Sequence, residues 1–114
     1  MVGDDESGAL LRRIALNDEA TMERVLGVRA LPVEPLSVGP KTTALLRLAA
    51  LIATDAALSS YLRAVGIARA AGATDDEIID VLFAIAPIVG AARTNPGASA
   101  LAAALGLGGR FDDA

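Results

Sequence analysis

Cysteine, histidine and tryptophan are all missing from the 114 residues. Without cysteine the chain forms no disulfide and offers no thiol nucleophile. The additional lack of histidine removes imidazole acid–base chemistry and Cys/His zinc ligation, so no metal or other cofactor is expected. Aromatics are scarce: Tyr61, Phe83 and Phe111 are the only ones. Basic charge is in deficit, with a net charge of −4 and a pI near 4.6. A phosphate backbone calls for a basic face, so nucleic acid is not an expected partner. Arg12, Arg13, Arg24 and Arg29 are scattered among acids and read as solvated helix faces. The longest apolar run, Val81 to Ala92, is bracketed by Asp80 and Arg93. At about 12 residues it falls short of the ~20 needed to span a bilayer. The N-terminus, Met1-Val2-Gly3-Asp4-Asp5-Glu6, is acidic where a signal peptide is basic. Membrane association is therefore not expected, and a cytoplasmic location is.

What the chain has is Ala, Leu, Ile and Val. They carry it to 54% apolar without counting glycine, above the usual ~45–50% that does count it. A domain with more apolar surface than its own core can hide tends to bury the surplus against copies of itself. Self-association is the expectation; an Ala-rich helical monomer is the alternative.

The apolar spacing is helical throughout, and the expected fold is all-α: one domain over 1–114, an antiparallel bundle of about six helices. Residues 1–7 read as a loose acidic lead. Leu10, Leu11, Ile14 and Ala15 mark a first helix. Asn17-Asp18 breaks it, and Asp18 caps a second short helix to about Leu26. Leu31-Pro32-Val33-Glu34-Pro35 reads as extended, because each proline pushes its predecessor out of the α region. Pro40 suits a helix first turn, and the following helix is so apolar that it is expected to be central and buried on every side. A helix from about Ala56 to Ala71 carries Ala57, Tyr61, Ala64, Val65 and Ala68 on one stripe and stops at Gly72. Thr74-Asp75-Asp76-Glu77 forms a capping box, opening a helix expected to reach about Ala92 with Pro87 inside. Asn95-Pro96 restarts a last helix, ended by Gly106, Gly108 and Gly109.

Several of these segments together resemble a known family. Pro40-Lys41-Thr42-Thr43, Tyr61-Leu62-Arg63-Ala64, Ala70-Ala71-Gly72-Ala73-Thr74-Asp75-Asp76-Glu77-Ile78 and Ala86-Pro87-Ile88-Val89-Gly90, followed by Arg93 and Asn95, resemble the carboxymuconolactone decarboxylase and alkylhydroperoxidase D superfamily over roughly residues 36 to 105. The resemblance implies an antiparallel helical bundle assembled as a homotrimer or homohexamer, with a site near subunit contacts. In the redox branch a Cys-x-x-Cys pair precedes a histidine by one turn. Counting back from Gly72 puts these at Ala57, Ser60 and Ala64, and a family glutamate falls near Ala44 or Leu45. Ser60 is a poor nucleophile without an adjacent base, so thiol peroxidase chemistry is rejected. The decarboxylase branch typically keeps the histidine, and Ala64 in its place removes that acid–base group as well.

The polar groups left near this region are Thr54, Asp55, Ser59, Ser60, Tyr61, Arg63, Arg93, Thr94 and Asn95. Five are candidate ligand contacts: Arg93, Asn95, Tyr61, Ser60 and Asp55. Arg93 suits bidentate binding of a carboxylate beside an apolar cavity; equally, it reads as a helix C-terminal arginine complementing the dipole. Asn95 reads as a helix cap, Tyr61 as core, and Asp55 as N-cap of the Tyr61 helix or, if desolvated, a general base. Arg47 is expected to pair with an acid or reach an interface, and Arg63 and Arg69 to face solvent. Two functions follow. One is a small hydrophobic acid or lactone bound or transformed in an inter-subunit pocket, by a cofactor-free, non-redox, lyase-like activity if there is catalysis. The other is a non-catalytic module whose oligomer, or contact with another protein, is its function.

Overall fold

A computed structural model describes residues 4–26 and 36–107. Within them are six helices and no strand. The Pro32–Pro35 connection, the glycines after Gly106 and Arg29 lie outside the described residues. The chain divides into two compact units, residues 1–39 and 40–114.

The first unit holds α1 (Asp4–Ala15) and α2 (Glu19–Leu26). Helix starts earlier than expected, at Asp4, because an acidic segment suits the free N–H groups of a helix N-terminus. Asn17 takes a left-handed φ of 59°. Its N–H donates to the Ile14 carbonyl at 3.0 Å and that of Asp18 to Arg13 at 2.9 Å, the paired bonds of a Schellman stop. The Asp18 cap is made: its carboxylate accepts from the Thr21 backbone N–H at 3.1 Å and from the Thr21 hydroxyl. The hydroxyl bond first, and the backbone bond second, hold the Asp18 carboxyl below the usual range.

The second unit contains α3 (Gly39–Ala53), α4 (Leu58–Ala70), α5 (Asp75–Val89) and α6 (Ala91–Leu105). Its core takes Ala44, Leu48 and Ile52 from α3, Tyr61, Val65 and Ala68 from α4, Ile78 and Leu82 from α5, and Leu101 and Leu105 from α6. Helix α3 buries one face only. Leu46 is 57% exposed and Arg47 lies on the same open side. The expectation of burial all round is corrected: an apolar helix at the side of a four-helix unit has only one flank to hide. Among the described residues no ion pair involves Arg47.

The turn from α4 to α5 is built as its sequence indicates. Gly72 has φ 96°, its N–H donates to Arg69 at 3.0 Å, and that of Ala73 to Ala68 at 2.9 Å. Thr74 and Glu77 exchange their capping bonds at 2.9 and 3.1 Å. Arg69 is not simply solvent-facing. Its guanidinium grips Asp75 through two nitrogens, at 2.9 and 3.0 Å, and reaches the Leu105 carbonyl at 3.4 Å. It thereby ties the ends of α4 and α6 to the start of α5. Lys41 joins α3 to α5 through Glu77 at 2.8 Å.

The last two helices divide elsewhere than expected. Helix α5 ends at Val89, and α6 begins at Ala91 and carries Pro96 inside it. Gly90, with φ 80° and ψ 172°, adopts a backbone conformation that side chains resist, and the chain reverses there. Proline at 96 removes one N–H but does not start the helix. Gly97, next to it, is buried where α6 meets α3 and α5: a Cβ added there would lie 2.9 Å from Ile52 Cγ2 and 3.4 Å from Leu82 Cδ1. Tertiary packing thus holds residues 91–96 helical against their local preference.

Candidate functional site

Three of the five candidate residues share one neighbourhood. Asp55 follows α3 with a left-handed φ of 53°, and its N–H donates to Ile52 at 3.3 Å while that of Ala56 reaches Leu51 at 3.0 Å. It is therefore the stop of α3, not the cap of α4, whose N-cap is Ala57 with no side-chain bond. The reason is geometric: a carboxylate two residues upstream of the true N-cap cannot turn onto the first free N–H groups while its backbone closes the preceding helix. Arg93 Nη1 stands 3.4 Å from Asp55 Oδ2, with both side chains about half exposed. Because α5 breaks at Gly90, Arg93 falls in the first turn of α6, where its N–H donates to Gly90 at 3.2 Å. Its expected role at a helix C-terminus is corrected. A cation is disfavoured by the dipole at that end, and Asp55 supplies the compensating charge.

Tyr61 is 1% exposed. Its ionisation is pushed up, first by burial and second by the negative charge of Asp55. No buried side-chain oxygen or nitrogen among the described residues lacks a hydrogen-bond partner. The resulting arrangement is a phenol, a carboxylate and a guanidinium at the rim of the core. It can bind an anion only if the anion displaces Asp55 from Arg93.

The other two candidates stand apart. Asn95 is exposed and lies inside α6, so it caps nothing. Two residues from Arg93, it points about 200° around the helix, since successive residues turn about 100°. Ser60 is exposed in the first turn of α4. Of the positions where the resemblance would put chemistry, Ala57 is exposed, Ala64 half-buried and Ala44 buried, so dry packing on α4 begins only at Tyr61. Thr54 and Thr94 return their hydroxyls to helix carbonyls, Ala50 at 2.8 Å and Gly90 at 2.8 Å. Among the described residues no group of three acidic, Cys or His side chains is placed to hold a metal. No helix there is long and apolar enough to cross a membrane.

A concave feature of the second unit lies elsewhere. An apolar groove of about 230 Å³ runs between α5 and α6, lined chiefly by Ile79, Leu82, Phe83, Ala98, Leu101 and Leu105. Among the described residues none that lines it is charged. Phe83, at its edge, is 65% exposed. Sequence reading missed this site, although two signals bear on it. Ile79 and Phe83 are one turn apart on the same side of α5, and no charged residue occurs from Thr94 to Leu107. Comparison with known proteins supplies no relative that would assign a role to either feature: no family model, no curated protein and no solved structure matches the chain.

Proposed function

We propose that this chain is a helical assembly module, which acts by associating with copies of itself, in the manner implied by its resemblance to carboxymuconolactone decarboxylase-like bundles. The observation that carries this reading is apolar exposure on the second unit. Leu46, Leu58, Leu62, Ile67, Phe83 and Ile88 are each between 46% and 86% exposed. Half-burying such a side chain contributes on the order of 1 kcal/mol, so covering several offsets a substantial part of the cost of association. A homotrimer or homohexamer fits the resemblance. Light scattering across a concentration series tests the reading: a defined oligomer is expected, and a monomer at every concentration up to the millimolar range overturns it.

A second reading, a hydrophobic acid or lactone held at an inter-subunit site, draws its support from the cluster of Asp55, Tyr61 and Arg93. An incoming carboxylate would replace Asp55 on the guanidinium. Aromatic acids should then raise the melting temperature, and Arg93→Ala should abolish the shift. A screen in which no acid or lactone moves the melting temperature of the assembled protein removes this reading.

A further inference from the structure

The α5–α6 groove carries a projection and a hollow on the same face, and this is the property an interface between identical chains requires. In a two-fold contact each copy presents the same patch, so every projection must find its recess on that patch. Here the projection is Phe83, 65% exposed, and the recess is the groove of about 230 Å³ beside it. An apolar cavity of about 150 Å³ is known to admit a benzene-sized ring. The groove therefore has room for a phenylalanine side chain from outside.

Charge and area agree with the same occupant. Among the described residues nothing charged lines the groove, so a copy covering them buries no ion. Asp76 and Asp80 are exposed acids on the Phe83 side of α5. They lie roughly 10 Å and 5 Å from Phe83 along the helix, at about 1.5 Å per residue. A two-fold axis near Phe83 and perpendicular to α5 runs the two α5 helices in opposite directions and carries these acids to opposite ends. Each pair then faces residues 84–92 of the other copy, which contain no charge. Helices α5 and α6 have 15 residues each. Side by side they present a face about 22 Å long and about 20 Å wide. That is roughly 400 Å² in projection and more in accessible area, which reaches the lower bound of about 500 Å² per partner for a specific pair but not its usual ~800 Å².

We propose that the α5–α6 groove is a two-fold self-docking site in which Phe83 of each copy enters the groove of the other. The proposal rests on the assembly reading and names its contact. Two-fold pairing gives a dimer, or a hexamer built as three such pairs; a trimer alone has no place for it.

Two substitutions test it from opposite sides. Phe83→Ser removes the projection, and Ala98→Phe fills the recess. Leu11→Ser, at a 67% exposed leucine on α1, outside the apolar set of the second unit, is the control. Mass by light scattering is read against concentration, with circular dichroism confirming that each variant keeps its helices. Each groove variant is expected to weaken association at least tenfold and to halve an even-numbered assembly or yield monomer, while Leu11→Ser assembles as the wild type does. Folded groove variants that assemble normally overturn the groove and leave the assembly reading standing. Dissociation by Leu11→Ser alone does the same and moves the contact to α1. A monomeric wild type overturns both readings. If that monomer binds an apolar dye that Ala98→Phe excludes, the groove's occupant is a small molecule.

Discussion

Replacing a glycine with alanine inside a helix ordinarily stabilises it, by about 0.5–1 kcal/mol, and the second unit offers two such glycines with opposite surroundings. Gly66 lies in α4, exposed, with nothing within 4 Å of an added Cβ. Gly97 lies in α6 with Ile52 Cγ2 at 2.9 Å from that position. Ile52 cannot easily yield. It is 0% exposed, and Cγ2 hangs directly from a β-branched carbon whose χ1 is confined in a helix. Overpacking of this kind costs about 1–3 kcal/mol. Gly66→Ala is therefore expected to gain roughly 0.5–1 kcal/mol, whereas Gly97→Ala is expected to lose roughly 1 kcal/mol after the same propensity gain. Because propensity is common to both, the difference isolates the contact between α3 and α6. At about 2 kcal/mol it corresponds to roughly 8 °C in Tm for a domain of this size. Urea and thermal unfolding followed by circular dichroism measure it. Equal stabilisation by the two substitutions would refute the close approach of Ile52 to α6, and with it the packing that explains why Pro96 is tolerated inside that helix.

Thr74→Ala removes the acceptor for the Glu77 N–H and should cost about 1 kcal/mol by urea unfolding; a neutral result would mean the capping box contributes nothing. At Asp55, with φ 53°, Asp55→Gly should be more stable than Asp55→Ala by about 1 kcal/mol, since only glycine takes that conformation freely. Equal stabilities would show that the α3 stop is not left-handed in solution. The pH dependence has a determined sign on each side. Asp18, Asp75 and Glu77 are lowered from ordinary values of 3.8, 3.8 and 4.5. Glu77 is lowered first by its hydrogen bond from Lys41, and Asp75 by that from Arg69. Their stabilisation is present above the unfolded-state values and is lost as pH falls through the folded ones. Tyr61 is raised from 10.0, so its contribution is present below 10 and is lost as pH rises through the folded value. Melting temperature against pH should be flat between about 5 and 9 and fall on both sides; a rise on acidification from 5 to 3 contradicts the assigned pairs.

Local chemistry was legible in the sequence at three junctions where neighbours along the chain decide the structure, though not at Asp55, which closes α3 instead of capping α4. Asn17-Asp18, Gly72 and Thr74-x-x-Glu77 announce stops and caps because their bonds join residues within six of one another, and each lies where the sequence indicates. The helical class follows from apolar spacing, and the lack of thiol and imidazole chemistry follows from composition alone. The end of α5 and the start of α6 were not legible. Pro96 is a strong local break signal and Gly90 a weaker one, yet burial of Gly97 against Ile52 outweighs the proline and leaves the glycine to turn the chain. That choice moved Arg93 from a helix end to a helix start and paired it with Asp55 across 38 positions of sequence. It also separated Arg93 from Asn95, since residues two apart share no helix face. The apolar groove belongs to the tertiary level for the same reason. Ile79 and Phe83 sit on one helix, Ala98 and Leu101 on another, and only the reversal at Gly90 places them on opposite walls. Sequence determined which groups are available to this protein, where α1 and α4 stop and where α2 and α5 are capped. The tertiary structure decided which groups meet, because burial and close packing between distant segments outweigh preferences worth a few kcal/mol at most.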